Sequence, residues 1–299
     1  MDPRSVFRRR LSRGASIVQA AGGSAWPPIS SPTVAPQSSE EQWRRFLLGE
    51  VRGLRFFQRI YGRLPTAPRC KFCYAPFGKP GSILVRLLGG NPSKLNRRLC
   101  TSCMGKLHKY PGGAEVDISV LFADVRGSTT LAERTSAIEF GQLLARFYGV
   151  AARVVDDQDG VVDKFVGDEV VALFIPGFAG KDHAARAVAA AYRLMRATGS
   201  HDGNPWIRVG VGVHTGVSFV GYVGEDDALD FTAVGDTVNT AARLTSAAGP
   251  GEILISDAAA SAAGLDIAGL EHRDLELRGR EKRIGAWVER VESLAVSAA

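Results

Sequence analysis

Apolar residues set out the order of parts along this chain. Between Glu41 and about Leu64, the residues Trp43, Phe46, Leu47, Leu54, Phe57 and Ile60 recur at spacings near three and four with arginines between them. That period predicts an amphipathic helix over 41–64, although Gly49 and Gly53 stand inside it. Residues 1–40 run through SAWPPISSPTVAPQSSEE and cannot bury enough apolar surface to offset chain entropy, so a disordered basic tail is expected there. Pro65 and Pro68 break the chain, and Pro111, Gly112 and Gly113 make a linker, which sets residues 65–113 apart as a small module.

Beyond the linker the pattern alternates between the two periods. VDISVLFADV reads as a strand, and Ser136 to about Gln158 as a helix with Phe140, Leu143, Leu144, Phe147 and Val150 on one face. VVDKFV and EVVALFI read as a strand pair joined by Gly167 and Asp168, and His183 to Thr198 as an alanine-rich helix. IRVGVGVHT and VSFVGYV read as two further strands around Gly216, followed by a helix from about Thr237 to Ala247. Strand, helix, hairpin, helix and strand in that order predict an α+β, ferredoxin-like domain with C-terminal additions over 114–299. No stretch approaches the roughly 18 uncharged apolar residues of a membrane span. The first residues, MDPRSVFRRRLSRGASIVQAAGG, lack the apolar centre of a secretory signal, so a cytoplasmic protein is expected.

Charge sharpens this division. The net charge of +6 combines 20 Lys/Arg against 4 Asp/Glu in residues 1–110 with 17 against 27 in residues 111–299. The basic part is either a solvated tail or a surface for nucleic acid, anionic lipid or an acidic regulatory protein.

The four cysteines all fall within the module, as Cys70 and Cys73, a gap of 26 residues, then Cys100 and Cys103. Two CxxC pairs supply four thiolates that close a tetrahedral zinc site, with iron or a redox dithiol as alternatives and His108 as a minor candidate ligand. Four thiolates leave no open position, so the Zn2+ would be structural and would help a small module fold. Arg86, Lys94, Arg97 and Arg98 surround the knuckles and would suit nucleic acid or a protein partner.

Three segments carry the chemistry. In LFADVRGSTT, Asp124 ends an apolar strand where the chain turns toward a helix, a place that suits a phosphate-facing site but also an ordinary helix cap. In KFVGDEV, Gly167 permits a tight turn that presents Asp168. Two carboxylates on neighbouring strand ends can bridge two Mg2+ or Mn2+ ions about 4 Å apart for phosphoryl transfer. In DFTAVGDTVNTAARL, Asn239 and Arg243 are four residues apart on one helix face, where an amide and a guanidinium can hold a ribose and a phosphate.

In this order, the three segments resemble the class III adenylyl and guanylyl cyclases over about 180 residues. The CxxC pairs ahead of FADVRGST are also similar to a group of bacterial cyclase-domain proteins with a cysteine-rich N-terminal module. The resemblance implies a palm-type fold in which Asp124 and Asp168, helped by the carbonyl of Val125, hold both metals. It implies that Asn239 orients the ribose, that Arg243 stabilises charge at the transferring phosphate, and that Lys164 and Thr232 select the base. An ammonium suits the adenine N1 acceptor and a threonine oxygen the adenine amino group, which favours ATP. The family's other phosphate contacts match loosely: Arg208 lies two residues from the expected place, and Lys282 and Arg283 lie near a C-terminal lysine.

Such sites lie between two domains in head-to-tail contact, so the resemblance implies a homodimer. One protomer would contribute Asp124 and Asp168 and the other Lys164, Thr232, Asn239 and Arg243. The alternatives are a guanylate cyclase and a catalytically silent nucleotide-binding regulator whose basic zinc module contacts nucleic acid or protein. A diguanylate cyclase, suggested by Val166-Gly-Asp-Glu169, leaves the Asn239 to Arg243 helix without a use. His214 is read as a structural strand-end residue.

Overall fold

Within the strand β1 (Gly113–Val125), Ala114, Val116, Ile118, Val120 and Phe122 enter one hydrophobic core, whereas Leu121, Ala123 and Val125 enter another. A strand whose two faces both demand cover must lie inside a layered sheet. The computed structural model describes residues 37–61, 63–64, 68–87, 90–93, 99–108, 112–200, 204–224, 230–276 and 283–290. Of the disordered tail expected over 1–40, residues 1–36 lie outside these, as do Lys94, Arg97, Arg98 and Lys282, whereas residues 37–40 are helical.

The elements preceding β1 are α1 (Gln37–Leu47), α2 (Arg52–Tyr61), α3 (Ser82–Leu87) and α4 (Thr101–His108). After β1 come α5 (Ser128–Arg134), α6 (Ala137–Asp157), β2 (Val161–Val166), β3 (Glu169–Phe174), α7 (Pro176–Ala179), α8 (His183–Ala197) and β4 (Val209–Val223). The chain continues through β5 (Asp230–Val234), α9 (Asp236–Ala247), β6 (Glu252–Ser256), α10 (Asp257–Ala263), β7 (Glu271–Leu275) and β8 (Ile284–Arg290). Strand order is β2-β3-β1-β4-β6-β8-β7, with β5 also paired to β4. The first four strands form the expected ferredoxin-like core, antiparallel throughout, and β4 joins the C-terminal strands through a parallel pairing with β6.

Helices α6, α8 and α10 cover one face through Phe147, Ala151, Val155, Ala187, Ala191, Leu194 and Ala259. Ser136 starts α6 with a capping box, its hydroxyl accepting from the Glu139 amide at 3.2 Å while the Glu139 carboxylate accepts from the Ser136 amide at 2.9 Å. On the other face, α9 packs directly on β4 at Gly212, where a Cβ would stand 2.5 Å from the Thr245 amide. Only glycine permits that approach, which fixes the height of α9 above the sheet.

The remainder of that second face is covered by α1 and the cysteine module. Trp43 lies against Phe231 and Tyr222, with ring centroids 6.2 and 6.0 Å away, and Phe72 sits between Phe46 and Phe178 at 3.9 and 4.2 Å. These side chains share one core with Val116, Ile118, Val171 and Val220 of the sheet. Lys71, inside the first CxxC pair, reaches Asp156 in the last turn of α6 at 2.9 Å and Asp159 just beyond it at 3.6 Å, and also donates to the Asp156 carbonyl at 2.8 Å. Its side chain is only 11% exposed, so Lys71→Met should lower stability by about 1–3 kcal/mol, seen as a lower urea midpoint.

Two local readings are corrected. The helix expected over 41–64 is two helices, because α1 ends at Leu47 and Gly49 turns with φ 70°, its amide bonded to the Phe46 carbonyl and that of Glu50 to Arg45. The two strands expected around Gly216 are one continuous strand, paired with β1 from Val209 to Gly221.

Candidate active site

β1 delivers Asp124 opposite Glu169 of β3 and Gly210 of β4, at the same sheet end as the β2–β3 turn. That turn is held by the Val125 amide bonding to the Asp168 carbonyl at 3.3 Å and by the Tyr148 hydroxyl bonding to the Gly167 carbonyl. Tyr148 also stacks on Phe165 at 4.4 Å. Asp124 and Asp168 thereby stand at one end of the sheet, Asp168 bonded through its carbonyl to the residue that follows Asp124. Val125 is buried beside them.

Arg126 is the cation of this cluster. Its Nη2 lies 3.1 Å from Asp124 Oδ2 and donates to the Thr245 carbonyl of α9 at 2.6 Å, while its amide bonds to the Arg208 carbonyl at 2.8 Å. Burial holds the Asp124 carboxyl above its ordinary range, with Arg126 opposing and Asp168 adding to the shift. Burial, then Asp124 and Asp168, push Glu169 up to about 7. Partly buried carboxyl groups crowded in this way seek a cation, and the oxygen donors of Asp124 and Asp168 fit hard divalent ions such as Mg2+ or Mn2+.

One consequence is a pH dependence. Glu169 gives up its proton near pH 4.5 when unfolded but near 7 when folded, so between those values the folded state binds more protons and stability falls as pH rises. In metal-free protein, urea unfolding at pH 5 and pH 7.5 should show this loss, and Glu169→Gln should reduce it. Equal losses in the two proteins would exclude Glu169 as the source.

Lys164 and Thr232 form a second group. Lys164 Nζ lies 3.4 Å from Asp163 and 3.6 Å from Asp230, and the Thr232 hydroxyl donates to Asp163 Oδ2 at 2.9 Å. Among the described residues, no hydrogen bond or ion pair joins this group to Asp124 and Asp168. Asn239 is exposed and Arg243 half-buried on α9, whereas Thr237, Thr240, Ala241, Leu244 and Thr245 face the sheet. Arg208 is exposed just before β4. His214 bonds Ser256 Oγ at 2.7 Å, in keeping with a structural role, and Arg283 pairs with Glu276.

Sequence reading passed over Arg126, Glu169 and Asp163. Each stands beside a residue that it singled out, Val125, Asp168 and Lys164 in turn, so proximity along the chain was the available signal for all three.

The cysteine sulfurs of Cys70, Cys73, Cys100 and Cys103 all lie within 4.8 Å of one another, with Cys73 and Cys100 3.7 Å apart. A tetrahedron with metal–sulfur bonds of about 2.3 Å has edges of about 3.8 Å, so the cluster fits a four-thiolate metal. The Cys100 amide donates to Cys70 Sγ at 3.2 Å. Hydrogen bonding among the sulfurs holds Cys73 and Cys103 protonated and pushes Cys100 down, and only a cation would let all four ionise together.

Residues 113–290 match the family described as the adenylate and guanylate cyclase catalytic domain. An adenylate cyclase from Anabaena cylindrica is 31% identical over 137 residues, covering 42% of this chain and 26% of that protein. The chain therefore spans about a quarter of the length of that relative. The structure of the guanylyl cyclase Cya2 is similar with a TM-score of 0.55 at 29% identity, over 59% of this chain and 93% of that one. The adenylyl cyclase CyaB from P. aeruginosa gives 0.51 at 29%, over 58% and 93%. Overall likeness thus does not choose between the two purines.

Proposed function

Since the chain belongs to the adenylate and guanylate cyclase catalytic-domain family, we propose that it converts ATP to 3′,5′-cyclic AMP and pyrophosphate at sites shared by two copies of the chain. The observation that carries this reading is the placement of Asp124 and Asp168 at one sheet end, where the Val125 amide of β1 bonds to the Asp168 carbonyl of the β2–β3 turn. Asp124 and Asp168, with the Val125 carbonyl, would hold two Mg2+ or Mn2+ ions, which when bound supply Lewis-acid activation of the ribose 3′-hydroxyl and neutralise phosphate charge.

This chain's own residues do the rest. The 3′-hydroxyl loses its proton to solvent water and its oxygen bonds to the α-phosphorus as the bond to the pyrophosphate oxygen breaks, and Arg243 stabilises the charge that develops there. Asn239 orients the ribose. Lys164 donates to adenine N1 and Thr232 accepts from the adenine amino group. Arg208 and Lys282 are assigned to the remaining phosphates.

Two features support a homodimer. Asn239 and Arg243 project from the side of α9 opposite its sheet contacts, and Phe165, Val166, Val217 and Val234 leave apolar surface exposed on β2, β4 and β5. We assign structural Zn2+ to the four cysteines. No described helix is long and apolar enough to cross a membrane, and four reduced thiols suit the cytoplasm. Because the module packs on the catalytic sheet, we assign it the part of a control element that answers to a regulatory partner.

The test is incubation of the full chain with ATP or GTP and Mn2+, with quantification of cyclic AMP, cyclic GMP and pyrophosphate. Cyclic AMP as the main product is expected. No cyclic product from a verified dimer would overturn the enzyme assignment in favour of a nucleotide-binding regulator, and cyclic GMP as the main product would overturn the base assignment.

A further inference from the structure

Asp163 belongs to none of the roles described so far, yet its placement is unusual for a carboxylate on a short strand. Val162 pairs with Ala172 and Lys164 with Val171, so Asp163 is the extra residue of a bulge in β2. Bulges re-aim side chains. Here the side chain is only 3% exposed and spans to β5, although β3, β1 and β4 lie between β2 and β5 in the sheet. The sheet must therefore curl strongly enough to bring those two strands together.

At that meeting point Asp163 Oδ2 accepts from the Thr232 hydroxyl at 2.9 Å and lies 3.4 Å from Lys164 Nζ. Its other oxygen, Oδ1, is buried with no hydrogen-bond partner. Burial pushes the Asp163 carboxyl up, and Thr232 and Lys164 draw it back. A buried carboxylate so incompletely satisfied costs stability, which asks for a compensating use.

Thr232 explains what that use is. A hydroxyl has one hydrogen and two lone pairs, so its hydrogen-bonding character toward a ligand depends on where the hydrogen points. The acceptors for it here are Asp163 Oδ2 and, at 3.5 Å, the Ala233 carbonyl, both belonging to the chain itself. With its hydrogen committed inward, Thr232 has only lone pairs left for a purine. The adenine 6-amino group donates and would be accepted, whereas guanine O6 accepts and would meet another acceptor. We propose that Asp163 is a specificity-determining positioning residue, which makes Thr232 an acceptor only and fixes Lys164 beside it, and so selects adenine over guanine.

This inference rests on the assignment of Lys164 and Thr232 to the base, and its test separates the two. Binding of 3′-deoxy-ATP and 3′-deoxy-GTP, which lack the attacking hydroxyl, is measured on the full chain with Mn2+, alongside cyclisation of ATP and GTP. Asp163→Asn removes the charge and can donate to Thr232 through its amide, turning the hydroxyl outward. The preference for adenine should fall at least about tenfold in both assays. In a Thr232→Val background, Asp163→Asn should change the preference much less, since only its hold on Lys164 is left to lose.

Equal weakening of both purines by Asp163→Asn would reduce Asp163 to a structural clip between β2 and β5 and overturn the proposal. Equal binding of the two purines by the unmodified chain, or preference for guanine, would overturn it as well. Adenine-selective binding without cyclic product would sink the enzyme assignment alone and leave the change in binding ratio to decide on Asp163. Should Asp163→Asn fail to fold, Thr232→Val keeps the carboxylate and serves in its place: a reduced preference for adenine is expected, and an unchanged one would refute the role assigned to the hydroxyl.

Discussion

Asp124→Ala and Arg243→Ala are each expected to lower cyclic AMP formation by about 10²–10³-fold or more, and an equimolar mixture of the two proteins should regain about a quarter of the unmodified activity. The losses follow from the proposed chemistry, in which one variant loses the carboxylate assigned to the divalent ions and the other the guanidinium assigned to the transition state. The recovery follows from geometry. Asp124 ends β1 within its own sheet, whereas Arg243 lies on the side of α9 turned from the sheet. If each site takes Asp124 from one protomer and Arg243 from the other, a mixed dimer has one site with both defects and one with neither. Random pairing makes half of the dimers mixed, and each carries one working site of two. Co-refolding the variants and measuring product per mole of chain gives the number. Activity that stays at the level of the single variants would place the whole site inside one protomer.

With a metal held by the four cysteines as proposed above, its removal should have an effect of similar size on folding. Structural zinc sites contribute on the order of 10 kcal/mol, comparable to the roughly 5–15 kcal/mol net stability of a whole domain. The cost would not stay local, because Cys70, Phe72 and Cys100 share a core with Val116, Ile118 and Tyr222. Titration with a chelator, or Cys100→Ser, is therefore expected to shift one cooperative thermal transition downward and to abolish cyclisation in step with metal loss measured by mass spectrometry. A catalytic sheet that melts unchanged after the metal has gone would show that the two parts are energetically independent.

Much of this arrangement was legible from residue order because its signals are local. The ten residues of LFADVRGSTT and the turn around Gly167 contain both the strand ends and the carboxylates they present, so little long-range information was needed. The break at Gly49 was visible as a weakness, but only the termination of α1 showed that it divides the helix. Gly216 misled in the opposite sense. It reads as a turn, yet a Cβ there would stand 3.0 Å from Thr237 Oγ1, so the glycine serves the approach of α9 to an unbroken strand. The Asp163 to Thr232 contact was not legible at all, since it depends on a bulge and on the curl of five strands. Partnership of the cysteine module with the sheet was equally hidden, because an aromatic such as Phe72 does not announce which side chains will enclose it.

The single core beneath Trp43 and Phe72 also bears on how such a chain can be cut and recombined. A fragment starting at Gly113 would uncover Val116, Val220 and Tyr222, and its first difficulty would be precipitation rather than altered control. For the same reason, the cysteine segment cannot be moved as a cassette to another cyclase whose sheet lacks a matching bed for Trp43 and Phe72. A change of side-chain size on one side of that seam would need a matching change on the other.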